Sequence, residues 1–185
     1  MFIQTEATPN PATVKFIPGK SVLGDGTVDY RSPQEAALSP LASRLFEIDG
    51  VEGVFLGADF ISVTKGPGEW QHLKPAVLGA IMEHYLSGAP VLDGDEPASG
   101  DMLEDYAEED EETVAIIKDL IETRVRPSVA NDGGDIVFRG FRDGVVFLNM
   151  RGACAGCPSS TATLQGGIER LLRHFCPEVE EVRAV

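Results

Sequence analysis

The sequence predicts two small α+β domains joined by a flexible acidic linker, and three observations carry that prediction. The first is charge. The 185 residues hold 30 acids against 15 Lys plus Arg, and 11 of those acids, with no base among them, fall within residues 93–112. Residues 1–92 hold 10 acids and 6 bases, while residues 113–185 hold 9 of each. A stretch this acidic, with Gly94, Pro97 and Gly100 and few apolar residues, cannot bury enough surface to offset its ordering entropy. It reads as a self-repelling, extended linker between folded units. The second observation is that strands and helices mix in the first half without regular βαβ alternation. The third is an α-β-β-α-β order in the second half. The expected division is therefore 1–92, 93–112 and 113–185.

Taken in order, the first half opens with extended pieces at Phe2–Glu6 and Thr13–Ile17, parted by the breaker Pro9-Asn10-Pro11. A third strand is expected at Thr27–Tyr30. Ser39-Pro40 supplies a cap and a first-turn proline for a helix reaching about Ile48. Val54–Leu56 and Phe60–Thr64 read as paired strands, and Gly66-Pro67-Gly68 as a turn. From Gln71 to Ser87, Leu73, Val77, Ile81 and Tyr85 recur every four positions, and Gly88 with Pro90 ends that helix.

In the second half, Val114, Ile117, Ile121 and Val125 mark one face of a helix running to the region of Pro127. Glu108–Glu112 suits the opening of that helix, where acids complement the dipole. Ile136 and Phe138 alternate with Val137 and Arg139, and Val146, Leu148 and Met150 resume the period of two after the hairpin signal Asp143-Gly144. GACAGCPSS follows at 152–160. A last helix carries Leu164, Ile168, Leu171 and Phe175, and Val179–Ala184 closes as a strand.

Composition excludes several classes. A net charge of −15 argues against binding a phosphate backbone, so no nucleic-acid partner is expected. Three cysteines are too few, and odd in number, for a disulfide scaffold. No apolar run nears the ~20 residues that span a bilayer, so no membrane role is expected. The opening MFIQTEATPNPATVKF has neither a basic-then-apolar signal nor an Arg-rich amphipathic character. A soluble protein of a reducing bacterial cytoplasm is the expectation, ahead of a mitochondrial one.

The chemistry sits at Cys154 and Cys157. Two-residue spacing lets both sulfurs reach one metal centre or each other. Pro158 suits a first helical position, and the amides of that helix start favour thiolate at Cys157. Ala153, Ala155 and Gly156 keep the loop narrow. The pair is compatible with an inert apolar filler, a thiol–disulfide oxidoreductase, a zinc site or an iron–sulfur cluster. An oxidoreductase of thioredoxin type lacks its usual aromatic before the first cysteine, since Arg151-Gly-Ala stands there. Zinc and a cubane cluster each want four ligands, which two chains related by a two-fold axis would supply. Spacing leaves those two open.

TEATPNPATVKFIPG, DFISVTK, WQHLKPAVLGAIMEHY, and VRPSVANDGGDIVFRGF with GVVFLNMRGACAGCPSSTATL resemble the NifU-like (Nfu-type) iron–sulfur carrier proteins. The resemblance covers nearly all of the chain outside the acidic linker. It implies a non-enzymatic scaffold or carrier, a homodimer holding one [4Fe-4S] cluster between two chains, with Cys154 and Cys157 as ligands. It implies apo iron–sulfur client proteins and upstream assembly proteins as partners, with residues 1–92 serving their contact. A site left exposed for stepwise thiolate exchange is the corresponding expectation.

One departure is Gly166-Gly167 inside the last helix, where a larger first residue is expected; each Gly costs about 1 kcal/mol relative to Ala. Other residues are read as structural. Cys176 is a helix-end thiol, His72 and His84 have capping, surface or packing roles, and His174 points away from the site. Asn131–Asp135 is a helix-to-strand turn with glycines at positive φ, and Trp70 is a packing anchor.

Overall fold

The computed structural model describes residues 1–94, 104–155 and 158–185. It forms two compact units, Met1–Gly100 and Asp101–Val185. Both mix helices with a sheet, as the sequence predicts.

In the first unit, β1 (Gln4–Ala7), β2 (Thr13–Ile17), β3 (Val28–Tyr30), β4 (Val51–Leu56) and β5 (Ile61–Lys65) form an antiparallel sheet ordered β1-β2-β5-β4-β3. Helix α1 (Pro40–Phe46) starts as expected: Ser39 Oγ accepts the amide of Ala42 at 3.1 Å and donates to the Val91 carbonyl at 2.7 Å. Helix α2 (Trp70–Ser87) ends at Gly88, whose φ is 71°. Phe16, Leu41, Leu45, Val54, Ile61, Val77 and Ile81 fill one core. Trp70 anchors it, with its ring 6.4 Å from that of Phe16 and its indole donating to the Pro11 carbonyl.

The buried stripe of α2 is Leu73, Val77, Ile81 and His84, with Tyr85 only half-buried. A step of four overshoots the helical repeat by about 40°. Three such steps carry Tyr85 to the side, and the three-residue step to His84 returns to the core line.

The second unit begins earlier than the sequence predicts. The expected linker at 93–112 is cut short, because β6 (Asp105–Tyr106), a 3₁₀ turn at Glu108–Asp110 and helix α3 (Glu111–Leu120) already belong to this unit; residues 95–103 lie outside the described ones. Strands β7 (Gly134–Arg142) and β8 (Val145–Gly152) form the hairpin. Its turn is Asp143-Gly144, at φ 51° and 77°, the two positive values such a turn requires. With β9 (Glu181–Ala184) the sheet runs β6-β7-β8-β9, both outer strands parallel to their neighbours.

Charge and space recruit β6. Arg142 donates to Asp105 at 2.6 Å and Lys118 to Glu104 at 2.8 Å, so the acids find bases that composition alone does not pair. Gly140, beside a register shift in β7, faces Asp105. A Cβ there would lie 2.5 Å from the Asp105 carbonyl oxygen. Gly140→Ala is expected to dislodge β6 at a cost of about 1–3 kcal/mol. Hydrogen exchange across residues 104–110 should quicken, and unchanged protection would refute this account of the pairing.

The expected single helix passes through Pro127 instead of stopping there. A π turn at Ile121–Val125 follows α3, and α4 (Arg126–Asn131) starts with Pro127 in its first turn, where a missing amide is tolerated. The final helix, α5 (Pro158–Phe175), sends Ile168 and Leu172 into the core, with Leu164 and Leu171 packed against it. Phe175 is exposed under the Arg124 guanidinium, while Cys176 takes the core position beyond it. A Cβ at Gly166 or Gly167 would meet nothing within 4 Å, so no packing partner within the described residues accounts for the pair.

Candidate functional site

The loop from β8 to α5 carries Cys154. Gly152, at φ 66°, turns the chain out of β8 through a conformation that suits glycine. The Ala155 amide then closes onto the Gly152 carbonyl at 3.1 Å. The Ala153 amide donates to the Gly133 carbonyl at 3.2 Å, and Thr161 Oγ1 donates to the Cys154 carbonyl at 3.0 Å. Cys154 is thereby tied to the turn before β7 on one side and to the first turns of α5 on the other. Cys157, the other predicted site residue, lies outside the described residues.

Cys154 is buried, with 5% of its surface exposed, and belongs to the core of this unit. The open site expected for thiolate exchange is therefore not what the single chain presents at this sulfur. The reason is Gly134: a Cβ on it would stand 2.9 Å from Cys154 Sγ and 2.6 Å from the Arg151 carbonyl oxygen. The sulfur occupies space that any other residue at 134 would fill.

The segment beneath is fastened by ions. Arg126 grips Asp135 with a two-pronged contact, Nε to Oδ1 at 2.8 Å and Nη2 to Oδ2 at 2.9 Å, and its Nη1 meets Glu122 at 2.6 Å. The Asp135 side chain is almost wholly buried. Hydrogen bonds to Asp135, opposed by burial, drive the Arg126 pKa above its ordinary value, so the guanidinium stays charged. Gly133 does hold a positive φ of 79°, as the sequence suggests for this turn. The roles of Gly134, Asp135 and Arg126 go beyond that reading. The signal was present in the double glycine, one more than a positive φ needs, followed at once by an acid at the strand start.

Cys176, declined on sequence, is 1% exposed and belongs to the same core. Burial, then the Glu178 carboxylate, push its thiol up, away from the thiolate that ligates metal. Among the described residues no group of three or more His, Cys, Asp and Glu could hold a metal ion, and none of their helices is long and apolar enough to cross a membrane.

Fold and site define a two-unit α+β protein whose second unit offers a strand–CxxC–helix thiol loop. The model described as scaffold protein Nfu/NifU N terminal matches residues 3–88, and the NifU-like domain matches residues 117–183. The human protein named NFU1 iron-sulfur cluster scaffold homolog, mitochondrial, is 49% identical over 187 residues, spanning all of this chain and 72% of its own length. The Drosophila sechellia protein of the same name is 51% identical over 188 residues, spanning all of this chain and 65% of its own. This chain belongs to the Nfu/NifU family of iron–sulfur cluster scaffold proteins. It spans about two thirds of the length of the fly relatives it matches. A solution structure of a NifU-like protein from Saccharomyces cerevisiae aligns with TM-score 0.46 at 24% identity, covering 51% of this chain and 87% of that one. The expectation of a bacterial cytoplasm is overturned, since the fly and human relatives, about half identical along the whole chain, are named mitochondrial.

Proposed function

We propose that this chain is a non-enzymatic iron–sulfur cluster carrier in which Cys154 and Cys157 from each of two chains hold one [4Fe-4S] cluster. The observation that carries this is a CxxC loop between β8 and α5, inside the segment matched by the NifU-like domain. Two sulfurs per chain fall short of the Cys₄ set a cubane takes, and a second copy completes it. Such a cluster passes to an apo-client by exchange of one thiolate at a time, so it is never released free. Because Cys154 is buried in the single chain, loading requires its loop to open. Residues 1–92 contact clients or upstream assembly proteins, and the compartment is the mitochondrion, as the names of the fly and human relatives support.

Anaerobic reconstitution with iron and sulfide tests the proposal. About four iron and four sulfide per two chains, with Mössbauer parameters of a cubane, are expected. Reduction of insulin disulfides without metal uptake would instead identify a thiol–disulfide oxidoreductase using the same pair.

A further inference from the structure

We propose that the Arg126–Asp135 fork is a latch that seats Cys154 against Gly134, so that Arg126 and Asp135 are positioning residues governing how readily that sulfur is presented. The inference rests on the reading of Cys154 as a cluster ligand, but its geometry stands apart from it.

The chain of contacts is short. Arg126 opens α4 and reaches the carboxylate of Asp135, the second residue of β7. Asp135 is paired across the hairpin with Arg151, and Gly134 with Gly152, so the fork fixes the end of β7 that lies beside the exit of β8. Gly133 and Gly134, next to Asp135, make the two contacts that seat the loop. Gly133 receives the Ala153 amide, and Gly134 leaves the room that Cys154 Sγ occupies. Were the fork only a general brace for the fold, nothing would require its far end to lie one residue from the sulfur's seat. A π turn directly precedes Arg126, and such turns commonly mark functional positions. Glu122, inside that turn, holds the third guanidinium nitrogen, so the arginine is aimed from both sides.

Arginine matters here for its planar fork. Lysine keeps the positive charge but offers a point contact in place of two parallel hydrogen bonds. Arg126→Lys should therefore keep the unit folded while loosening the end of β7, and Gly134→Ala, whose Cβ would crowd the Arg151 carbonyl as well as the sulfur, should unseat the sulfur with both side chains of the ion pair kept.

The test is iodoacetamide alkylation of the full apo chain, followed residue by residue by fragmentation mass spectrometry. Cys176, buried in the same core at a distant point of the sequence, reports general unfolding. Arg126→Lys is expected to raise the alkylation rate at Cys154 about tenfold, the effect of a local opening made ~1.4 kcal/mol easier, with Cys176 unchanged. Gly134→Ala is expected to do the same. If Cys154 stays as slow as in the parent, or Cys154 and Cys176 quicken together, the latch is refuted. In reconstitution, Arg126→Lys should also speed cluster uptake several-fold, because loading needs the opened loop. Should the parent chain take up no cluster, the carrier reading fails, while the ratio of the two alkylation rates still decides the latch.

Discussion

Chains carrying Cys154→Ser and Cys157→Ser together are expected to retain no iron or sulfide above a control without protein, against about four of each per two parent chains. Serine is the informative replacement because it keeps size and removes the soft ligand. A hydroxyl is not ionised at neutral pH, so it offers neither the charge nor the polarisability that iron in a cluster requires. The fold should survive. Cys154 is buried among apolar neighbours, and burying a hydroxyl there costs about 1–3 kcal/mol, less than the stability of an ordinary domain. Far-ultraviolet circular dichroism should therefore match the parent while iron content collapses. Undiminished cluster content in the double variant would sink the assignment of both ligands.

Acid is expected to destabilise the first unit through His84. Its side chain is 0% exposed, and neither ring nitrogen has a hydrogen-bond partner. The charge that acts on it is Arg44 on α1, which bridges to Glu83 at 3.2 Å, and its ring meets that of the neutral Tyr85 edge to face. Burial first, and then the Arg44 charge, lower its pKa below the usual 6.5. The folded state thus binds fewer protons than the unfolded state between the lowered value and 6.5, and stability rises with pH across that window. The contribution is complete above 6.5 and is lost as pH falls, at up to about 1.4 kcal/mol for each pH unit. Denaturant unfolding at several pH values, followed by Trp70 fluorescence, should show this loss in the parent and a flatter profile in His84→Leu. A profile unchanged by the substitution would assign the acid sensitivity elsewhere. His84→Leu should also be more stable at neutral pH, because two unsatisfied buried nitrogens disappear.

Much of this architecture could be read locally. The cap at Ser39, the hairpin turn at Asp143-Gly144 and the break at Gly88 follow from residues whose backbone preferences act at their own positions. Cys154 and Cys157 stand out as a pair in the sequence because two-residue spacing lets both sulfurs reach one centre. What escaped were relations between distant residues. Nothing near Glu104 and Asp105 announces that Lys118 and Arg142 will face them, so an acidic run looked unpaired along its whole length. A packing role is among the readings the sequence offers for His84, but its full burial is hidden because a repeat of four masks the drift of a 3.6-residue helix. Burial of Cys154 depended on Gly134, twenty positions away, and on an arginine eight residues before that.

The outermost strands of the second sheet have a bearing on how copies of this chain meet. One border is the two-residue β6, whose Asp105 is held by Arg142; the other is the four-residue β9, where Arg183 pairs with Glu181. Short borders studded with charge make poor templates for a further strand. Chains crowded together in solution therefore have little to gain by zipping sheet to sheet. Under the proposed carrier role, two chains that must part to deliver their cargo are helped by borders of this kind.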